Sequence, residues 1–317
     1  MNITRELEIT GISETAPEVR TLTLAAPDRS LLPSFVPGSH LVLECGERAN
    51  AYSLTSDPLS PQSYRISVLR LRDGQGGSAW LHRRGLGERL RARPPRSAFA
   101  PQLSARKHLL IAGGIGVTPI LSLVRAARQW GHAVEVLYVH RPGYGAHCEE
   151  LHALAPGSVR CLSGREAFLA DFERTVRTQP VGTHLYCCGP EAFMDSVQQS
   201  ASAAGWPEVR IHTERFGVGA LEPGEPFEVE LTDSQQRLTV PSGVSLLEAL
   251  EKQGFTIPNL CRQGVCGECV LPVSRGSVLH RDHYLTEAEK EAGDSMMCCV
   301  SRAAPGSEGP IRLEIPL

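Results

Sequence analysis

The last third of the chain contains the stretch that decides its fold, Cys261-Arg262-Gln263-Gly264-Val265-Cys266-Gly267-Glu268-Cys269. Its three cysteines are spaced Cys-x4-Cys-x2-Cys, and the pair Cys298-Cys299 follows later. Plant-type proteins use this spacing to hold a [2Fe–2S] cluster, with a distant cysteine as the fourth ligand. Gly264 and Gly267 allow the backbone to approach such a cluster closely.

Two other uses of the cysteines fit the sequence less well. A zinc site commonly has paired Cys-x2-Cys knuckles, and only Cys266 and Cys269 form one. A disulfide set suits a small secreted domain, whereas this chain has 317 residues and begins without an apolar signal core. Cys298 and Cys299 point to opposite sides of an extended chain, so only one can reach the iron, and the spacing does not choose between them.

Length and composition describe an ordinary globular chain. Its 317 residues are enough for two or three domains, each with its own core. Hydrophobic residues make up 41% of the chain, and no apolar run reaches the roughly 18 residues that a membrane span requires. We expect a cytoplasmic protein without membrane contact. Several of its ten cysteines should hold metal, because cytosolic thiols stay reduced.

Charge is distributed unevenly along the chain. From Glu225 onward there are 14 acidic and 8 basic residues, whereas the preceding residues include 21 acidic and 24 basic ones. An acidic module attached to a slightly basic body indicates complementary docking faces, or a partner that is recognised by charge. Nucleic acid is not expected as a partner, because the sequence has no lysine-rich patch.

Residues 1 to about 100 are predicted to form a small antiparallel barrel, because alternating apolar positions lie between Pro and Gly turns. The predicted strands are Leu7–Ile12, Val19–Leu24, His40–Glu44, Ala51–Leu54 and Tyr64–Leu71. The segment Asp73-Gly74-Gln75-Gly76-Gly77-Ser78 precedes a predicted helix, and free amides at a helix start can hold a phosphate. A glycine turn with Ser78 as the helix N-cap is the alternative. Six arginines between Arg83 and Arg96 fit a solvated loop beside a barrel strand, which we favour, or a docking face for an acidic partner.

Residues from about 106 to 212 alternate apolar strands with helices, which predicts a doubly wound parallel sheet. The predicted strands are His108–Ala112, Ala133–Val139, Val159–Leu162 and His184–Cys188. The first ends in Gly113-Gly114-Ile115-Gly116-Val117-Thr118-Pro119, at the strand end where such sheets bind ligands. This turn lacks the third glycine of the dinucleotide fingerprint and is a weak signal by itself. The last ends in Cys187-Cys188-Gly189-Pro190, where one thiol faces the core and the other can face a pocket.

The Gly/Pro-rich segment 217–226 is predicted to be a linker. Beyond it the pattern predicts strands at Phe227–Thr232 and Arg237–Val240, a helix at Ser245–Lys252, the cysteine loop, and a closing strand at Ile311–Ile315.

Together these segments resemble the phthalate dioxygenase reductase family, which are flavin- and nicotinamide-dependent reductases with a C-terminal plant-type ferredoxin domain. The resemblance covers essentially the whole chain. It implies a flavin-binding antiparallel β-barrel domain over 1–103 and a nicotinamide-binding, doubly wound α/β domain over 104–216. The linker then spans 217–226, and an α+β (β-grasp) [2Fe–2S] ferredoxin domain spans 227–317.

The resemblance also assigns roles to individual residues. Asn50, Ala51, Tyr52 and Ser53 occupy the positions of the family's flavin-binding motif Arg-x-Tyr-Ser. Ser67, Val68 and Leu69 match the strand along the flavin ring, and Gly76, Gly77 and Ser78 match the loop that binds the FMN phosphate. The nicotinamide residues are Gly113, Gly114, Gly116 and Thr118 in the turn near the flavin, and Cys188, Gly189 and Pro190 in a Cys-Gly-Pro motif. Phe216 matches an aromatic residue packed on the flavin, and Cys188, Thr118 and Phe216 are the implied catalytic residues. Cys299-Val300-Ser301-Arg302 is similar to the fourth-ligand segment, which implies the ligand set Cys261, Cys266, Cys269 and Cys299.

One residue departs from the family pattern. The arginine of the flavin motif, which helps to neutralise the flavin phosphate, is Asn50 in this chain. Arg48 would point to the same side of an extended strand and could replace it in part.

The resemblance implies an NAD(P)H-dependent oxidoreductase that uses FMN and a [2Fe–2S] cluster. Its expected partner is a Rieske-type terminal oxygenase, a separate protein that accepts the electrons. A haem oxygenase as the acceptor and a non-catalytic redox sensor are the alternatives. After the strand that ends at His140, an acidic residue would favour NADH and a cluster of basic residues would favour NADPH, but the sequence has the single base Arg141 there. NADH is therefore expected on the resemblance alone. A monomeric reductase is also expected.

Overall fold

The computed structural model describes residues 4–46, 48–71, 76–97, 99–216, 223–232, 234–259, 262, 264, 267–282, 284–307 and 309–315, with only the backbone at residue 48. The chain divides into two compact units, 1–215 and 216–317. Among the helices in the described ranges, none has the length and hydropathy needed to cross a bilayer.

The first unit begins with an antiparallel sheet that closes on itself. Its elements are β1 (Arg5–Ala16), β2 (Val19–Ala25), β3 (Ser39–Cys45), β4 (Arg48–Ser53), β5 (Ser63–Leu69), α1 (Gly77–His82), β6 (Arg89–Ala92) and β7 (Arg96–Ser97). The strand order is β4-β3-β6-β1-β2-β5, with β7 paired to β3. An isolated antiparallel bridge between Leu54 and Ile66 joins the two ends of this order, which encloses an apolar core. The predicted antiparallel barrel is confirmed.

The arginine-rich segment forms part of this sheet, so the expectation of a solvated loop is wrong at its centre. Strand β6 pairs with β1 there. Leu90 and Ala92 of β6 are buried, and Arg89 and Arg91 alternate with them on the exposed face. Buried and exposed residues alternate along β6, but the strand contains only two buried residues, which is too short a pattern to predict a strand from the sequence.

The first unit continues with a five-stranded sheet whose strands are all parallel. Its elements are β8 (Lys107–Gly113), α2 (Val117–Trp130), β9 (Ala133–His140), α3 (Cys148–Leu154), β10 (Val159–Ser163), α4 (Arg165–Arg177), β11 (Thr183–Cys188), α5 (Glu191–Ala203) and β12 (Ile211–Glu214). The strand order is β10-β9-β8-β11-β12. Helices α2 and α3 cover one apolar core, and α4 and α5 cover a second. The predicted doubly wound sheet is confirmed.

The second unit is a mixed sheet with a helix packed on it, as the α+β prediction requires. Its elements are β13 (Phe227–Leu231), β14 (Arg237–Val240), α6 (Leu246–Lys252), β15 (Val270–Arg275), β16 (Val278–Leu279), α7 (Glu287–Ala292), β17 (Ser295–Met297), β18 (Arg302–Ala303) and β19 (Ile311–Leu313). The main sheet has the order β14-β13-β19-β15-β17, with β13 and β19 parallel. Ser245 and Glu248 form a capping box, so α6 begins one residue after the predicted start. Residues 217–222 of the predicted linker lie outside the described residues.

Candidate functional site

The start of α1 rests on the asparagine that replaces the motif arginine. A Cβ added at Gly77 would come within 2.8 Å of the Asn50 Cγ, so a larger residue at 77 would displace the Asn50 side chain. The Nδ2 atom of Asn50 also donates a hydrogen bond to the Tyr52 Oη at 3.4 Å. The Asn50 amide therefore faces the predicted phosphate loop. Residues 73–75 of that loop and the Arg48 side chain lie outside the described part of the chain.

Two serines of the barrel part of the first unit, Ser53 and Ser78, are buried. Ser78 is inside α1, whose N-cap is Gly76, so the alternative of a Ser78 N-cap is excluded. The Ser78 Oγ accepts a hydrogen bond from the Leu71 N–H at 3.1 Å, which leaves its own proton available. The Ser53 Oγ is buried and has no hydrogen-bond partner among the described residues. An orphaned buried hydroxyl is costly, and a bound polar group would satisfy it. These hydroxyl and amide donors fit a phosphate-bearing flavin.

Strand β5 presents its two faces to different neighbours. Val68 points into the barrel core, and its carbonyl accepts a hydrogen bond from the His82 Nε2 at 2.8 Å. Leu69 packs instead against the core of the parallel sheet, and Ser67, two residues away on the same face, is also buried. The strand predicted to lie along the flavin therefore runs along the boundary between the barrel and the parallel sheet.

Two turns meet at the carboxyl end of the parallel sheet because β8 and β11 are neighbouring strands. A Cβ added at Gly116 would overlap the Cys188 carbonyl and come within 2.7 Å of the Gly189 nitrogen. A Cβ added at Gly113 would come within 3.2 Å of Pro190. The turn after β8 and the Cys-Gly-Pro turn thus pack backbone against backbone. The Gly114–Gly116 segment also contacts β5.

Thr118 is buried at the start of α2. Its hydroxyl donates a hydrogen bond to the Ile115 carbonyl at 3.0 Å. This bond holds the turn after β8 against the first residues of the helix.

Cys188 lies opposite a buried carboxyl that the sequence did not identify. It pairs in register with Glu214 of β12. Burial and the neighbouring Glu214 carboxyl raise the pKa of the Cys188 thiol well above its ordinary value. Burial raises the pKa of Glu214 to about 8, and its Oε2 has no hydrogen-bond partner in the described ranges. Both groups are therefore neutral at pH 7. The one available signal was a carboxyl at the end of a predicted apolar α/β segment, because a carboxyl that loses its contact with water is rare without a reason.

Phe216 is the first residue of the second unit, and 46% of its surface is exposed. Its predicted packing on the flavin stays a prediction.

The described part of the cysteine loop packs through its glycines. Gly264 has a φ of 67° and lies against Val300, and Gly267 has a φ of 79° and lies against the Tyr284 ring. These close approaches and positive φ values explain why the spacing carries glycine at both places. Cys261 and Cys266, two of the four predicted ligands, lie outside the described residues.

The other two predicted ligand segments are adjacent. The Cys298 N–H donates a hydrogen bond to the Cys269 carbonyl at 3.1 Å. Hydrogen bonds from the Cys298 and Cys299 thiols lower the pKa of Cys269 below its ordinary value. The two cysteines lie in a turn, so the expectation of an extended chain that points them to opposite sides is wrong. Which of the two is the fourth ligand stays a prediction.

Comparison with known proteins places both halves of the chain. A family model of the 2Fe-2S iron-sulfur cluster binding domain matches residues 229–304. A model of the N-terminal domain of dimethylamine monooxygenase subunit DmmA-like proteins matches residues 88–211. Over 99% of its length the chain is 41% identical to the whole of the heme-dependent oxidative N-demethylase beta subunit of Ectopseudomonas mendocina. Over 94% of its length it is 36% identical to 93% of the phthalate 4,5-dioxygenase oxygenase reductase subunit of Pseudomonas putida.

The chain is also similar to solved structures. It matches phthalate dioxygenase reductase, a modular structure for electron transfer from pyridine nucleotides to [2Fe–2S], with a TM-score of 0.75, 30% identity and 98% coverage of both chains. An intact type IV self-sufficient cytochrome P450 monooxygenase matches 99% of this chain with a TM-score of 0.84 and 31% identity, but the match spans only 41% of that longer chain.

A barrel, a parallel sheet and a [2Fe–2S] domain in this order are the parts of a modular electron-transfer reductase. The chain belongs to the phthalate dioxygenase reductase family.

Proposed function

We propose that this chain is the reductase component of an oxygenase system. It takes electrons from NADH and delivers them to a separate oxygenase, with FMN and a [2Fe–2S] cluster as its cofactors. The observation that carries the proposal is the meeting of three backbone segments in one compact unit. The Gly114–Gly116 turn contacts both the Cys188–Pro190 turn and the predicted flavin strand β5.

Bound FMN would supply the conversion of a hydride electron pair into the single electrons that a [2Fe–2S] cluster carries. Asn50 and Ser78 would hold the flavin at the start of α1, and the Ser53 Oγ, which has no partner among the described residues, would contribute a further hydrogen bond. The glycine turns leave backbone without side chains where a nicotinamide has to approach β5. Cys188 and Glu214 add uncharged side chains to this region at pH 7.

The second unit would hold the cluster through Cys261, Cys266, Cys269 and Cys299. The contact of Cys269 with the 298–299 turn supports the use of one cysteine of that pair. Because one chain carries all the proposed cofactor sites, the reductase needs no second copy, and we propose that it acts as a monomer. Size-exclusion chromatography with light scattering would test this point.

We propose a haem-dependent oxygenase as the electron acceptor. The 41% identical relative, matched over its whole length, is named a heme-dependent oxidative N-demethylase beta subunit. The match to part of a self-sufficient cytochrome P450 monooxygenase supports the same choice. A Rieske-type oxygenase is the second candidate, because the phthalate 4,5-dioxygenase reductase subunit is 36% identical.

Anaerobic stopped-flow mixing with NADH tests the electron path. We expect the flavin absorbance to bleach before the cluster absorbance, and cluster reduction that precedes flavin reduction would contradict the proposed order. The acceptor is tested by adding purified oxygenase components of the two types in turn. Faster NADH oxidation with the haem-dependent component is expected, and a faster rate with the Rieske-type component would favour the second candidate.

A further inference from the structure

A buried histidine lies between the barrel and the parallel sheet. His147 is the N-cap of α3, and 2% of its side chain is exposed. Its φ is 62°, in the left-handed region, which is uncommon for residues other than glycine although asparagine, aspartate and histidine adopt it more often than the rest. Residues held in this way are kept there by the contacts around them, so the contacts of the imidazole identify its role.

Both imidazole nitrogens of His147 have partners. The Nδ1 atom lies 2.7 Å from the Glu150 Oε2, and the Nε2 atom lies 2.8 Å from the Ser67 Oγ. Burial alone would raise the pKa of Glu150, but the His147 imidazole and the Arg65 guanidinium outweigh it and lower the pKa to about 2. Glu150 is therefore ionised at neutral pH, and the Nδ1–H must be the donor.

The chain of hydrogen bonds continues into the barrel. The Ser67 Oγ lies 2.8 Å from the Thr21 Oγ1, which lies 3.1 Å from the Thr15 Oγ1. A serine, a histidine and a glutamate in this order have the connectivity of a hydrolytic triad. However, Ser67 is buried between Thr21 and His147, so no substrate can reach its hydroxyl. The arrangement fixes positions and does not supply a nucleophile.

Glu150 also connects strand β5 with helix α2. Its carboxylate forms ion pairs with Arg65 of β5 and with Arg125 of α2. The Nε atom of Arg125 donates a further hydrogen bond to the Thr55 carbonyl, just beyond β4, at 2.9 Å. The outer face of β5 is therefore bound to two helices of the parallel sheet by buried and half-buried polar groups.

We propose that His147 is a positioning residue that fixes the flavin strand β5, through Ser67, to helix α3 and so sets the distance between the flavin and the nicotinamide turns. This inference rests on the proposed function, because it takes β5 as the strand along the FMN ring. Hydride transfer is sensitive to small displacements of the reacting groups, and an error of about 1 Å can cost a factor of about 100 in rate. A fixed link between the element that holds the acceptor and the sheet that holds the donor would control that distance.

The FMN-loaded full chain allows a sharp test. His147→Asn keeps a residue that tolerates a positive φ, but its amide is too short to reach Ser67. Ser67→Ala removes the other end of the same bond. His152→Asn, at an exposed position of α3, is the matched control. The four measurements are the rate of flavin bleaching by NADH under anaerobic conditions, the NADH dissociation constant, the visible circular dichroism of the bound FMN, and the unfolding midpoint.

We expect His147→Asn and Ser67→Ala each to slow flavin bleaching about tenfold, with little change in the NADH dissociation constant. The double variant should be no slower than His147→Asn alone, because both changes remove the same bond between Ser67 and His147. The visible circular dichroism of FMN should change alike in both single variants, and His152→Asn should match the wild type in every measurement.

Wild-type bleaching rates in the single variants would overturn the inference, as would losses that multiply in the double variant. An equal loss in His152→Asn would do the same, because it would reveal a general effect on α3. A failure of the proposed function is distinct from these results, since the wild-type chain would then retain no FMN or show no bleaching with NADH.

Discussion

Cys188 and Glu214 lie directly opposite each other at the ends of the adjacent parallel strands β11 and β12. Both are kept neutral by burial at pH 7. A thiol and a carboxylic acid can donate hydrogen bonds without placing a charge beside a hydride donor. The pair therefore adds proton donors to the edge of the sheet where the two glycine turns meet.

The buried Glu214 carboxyl should make the stability of the first unit depend on pH. Its pKa is about 8 in the folded chain and near its ordinary 4.5 in the unfolded chain, so the folded state keeps a proton that the unfolded state loses. Between these values each pH unit should remove up to about 1.4 kcal/mol from the free energy of unfolding. Glu214→Gln should abolish this slope, as measured by thermal unfolding midpoints from pH 5 to 8. The exposed Glu208→Gln is the control, and parallel curves for wild type and Glu214→Gln would contradict the assignment.

The orphaned hydroxyl of Ser53 should separate flavin binding from folding. Because its Oγ has no partner in the described part of the chain, Ser53→Ala should not lower the stability of the flavin-free protein. If bound FMN satisfies the hydroxyl, the same change should weaken FMN binding by about 1 kcal/mol, or roughly fivefold. Fluorescence titration with FMN measures the affinity, and unchanged affinity with lower stability would show that the hydroxyl has a structural partner.

A methyl group at Gly116 should force the two nicotinamide turns apart. The added Cβ of Gly116→Ala overlaps the Cys188 carbonyl, and overpacking of this kind costs about 1–3 kcal/mol. We expect a lower unfolding midpoint and a several-fold weaker saturation of flavin reduction by NADH. Gly85→Ala, whose Cβ would meet only the flexible Glu88 side chain, is the control. Normal NADH saturation in Gly116→Ala would exclude this turn from the nicotinamide site.

The two adjacent cysteines of the second unit should respond differently to substitution. Cys298 is fully buried in the apolar core, whereas 7% of Cys299 is exposed. Cys299→Ser should therefore lose the cluster, while Cys298→Ala should keep it and lose about 1 kcal/mol or more of stability through the cavity it leaves. Iron and acid-labile sulfide analysis with the visible spectrum measures the cluster. Retention by Cys299→Ser and loss by Cys298→Ala would reverse the ligand assignment.

The architecture could be predicted from the sequence because its signals are local. Alternation identified β2 and β3 of the barrel to within one residue at each end. The apolar run before Gly113 likewise identified β8 and the edge of the sheet at which the glycine turns lie. Strand β6 was missed because it has only four residues and two of them are arginines.

The interactions around the site could not be predicted, because they depend on contacts that are distant along the chain. Ser67 and His147 are 80 residues apart, and only the tertiary fold brings them within hydrogen-bond distance. Glu214 faces Cys188 only through the register of two parallel strands. The Cys298-Cys299 turn was predicted as extended chain because the pair contains no glycine or proline that marks a turn.

In the described part of the barrel, one isolated bridge between Leu54 and Ile66 closes the sheet. This seam joins β4 to β5, the two strands with the proposed flavin residues, and it has far fewer backbone hydrogen bonds than the long β1–β2 and β2–β5 ladders. Local opening is favoured where such bonds are few. We therefore expect FMN to leave and re-enter through local opening of this seam while the rest of the sheet stays intact. Warming should release the yellow colour before the chain unfolds.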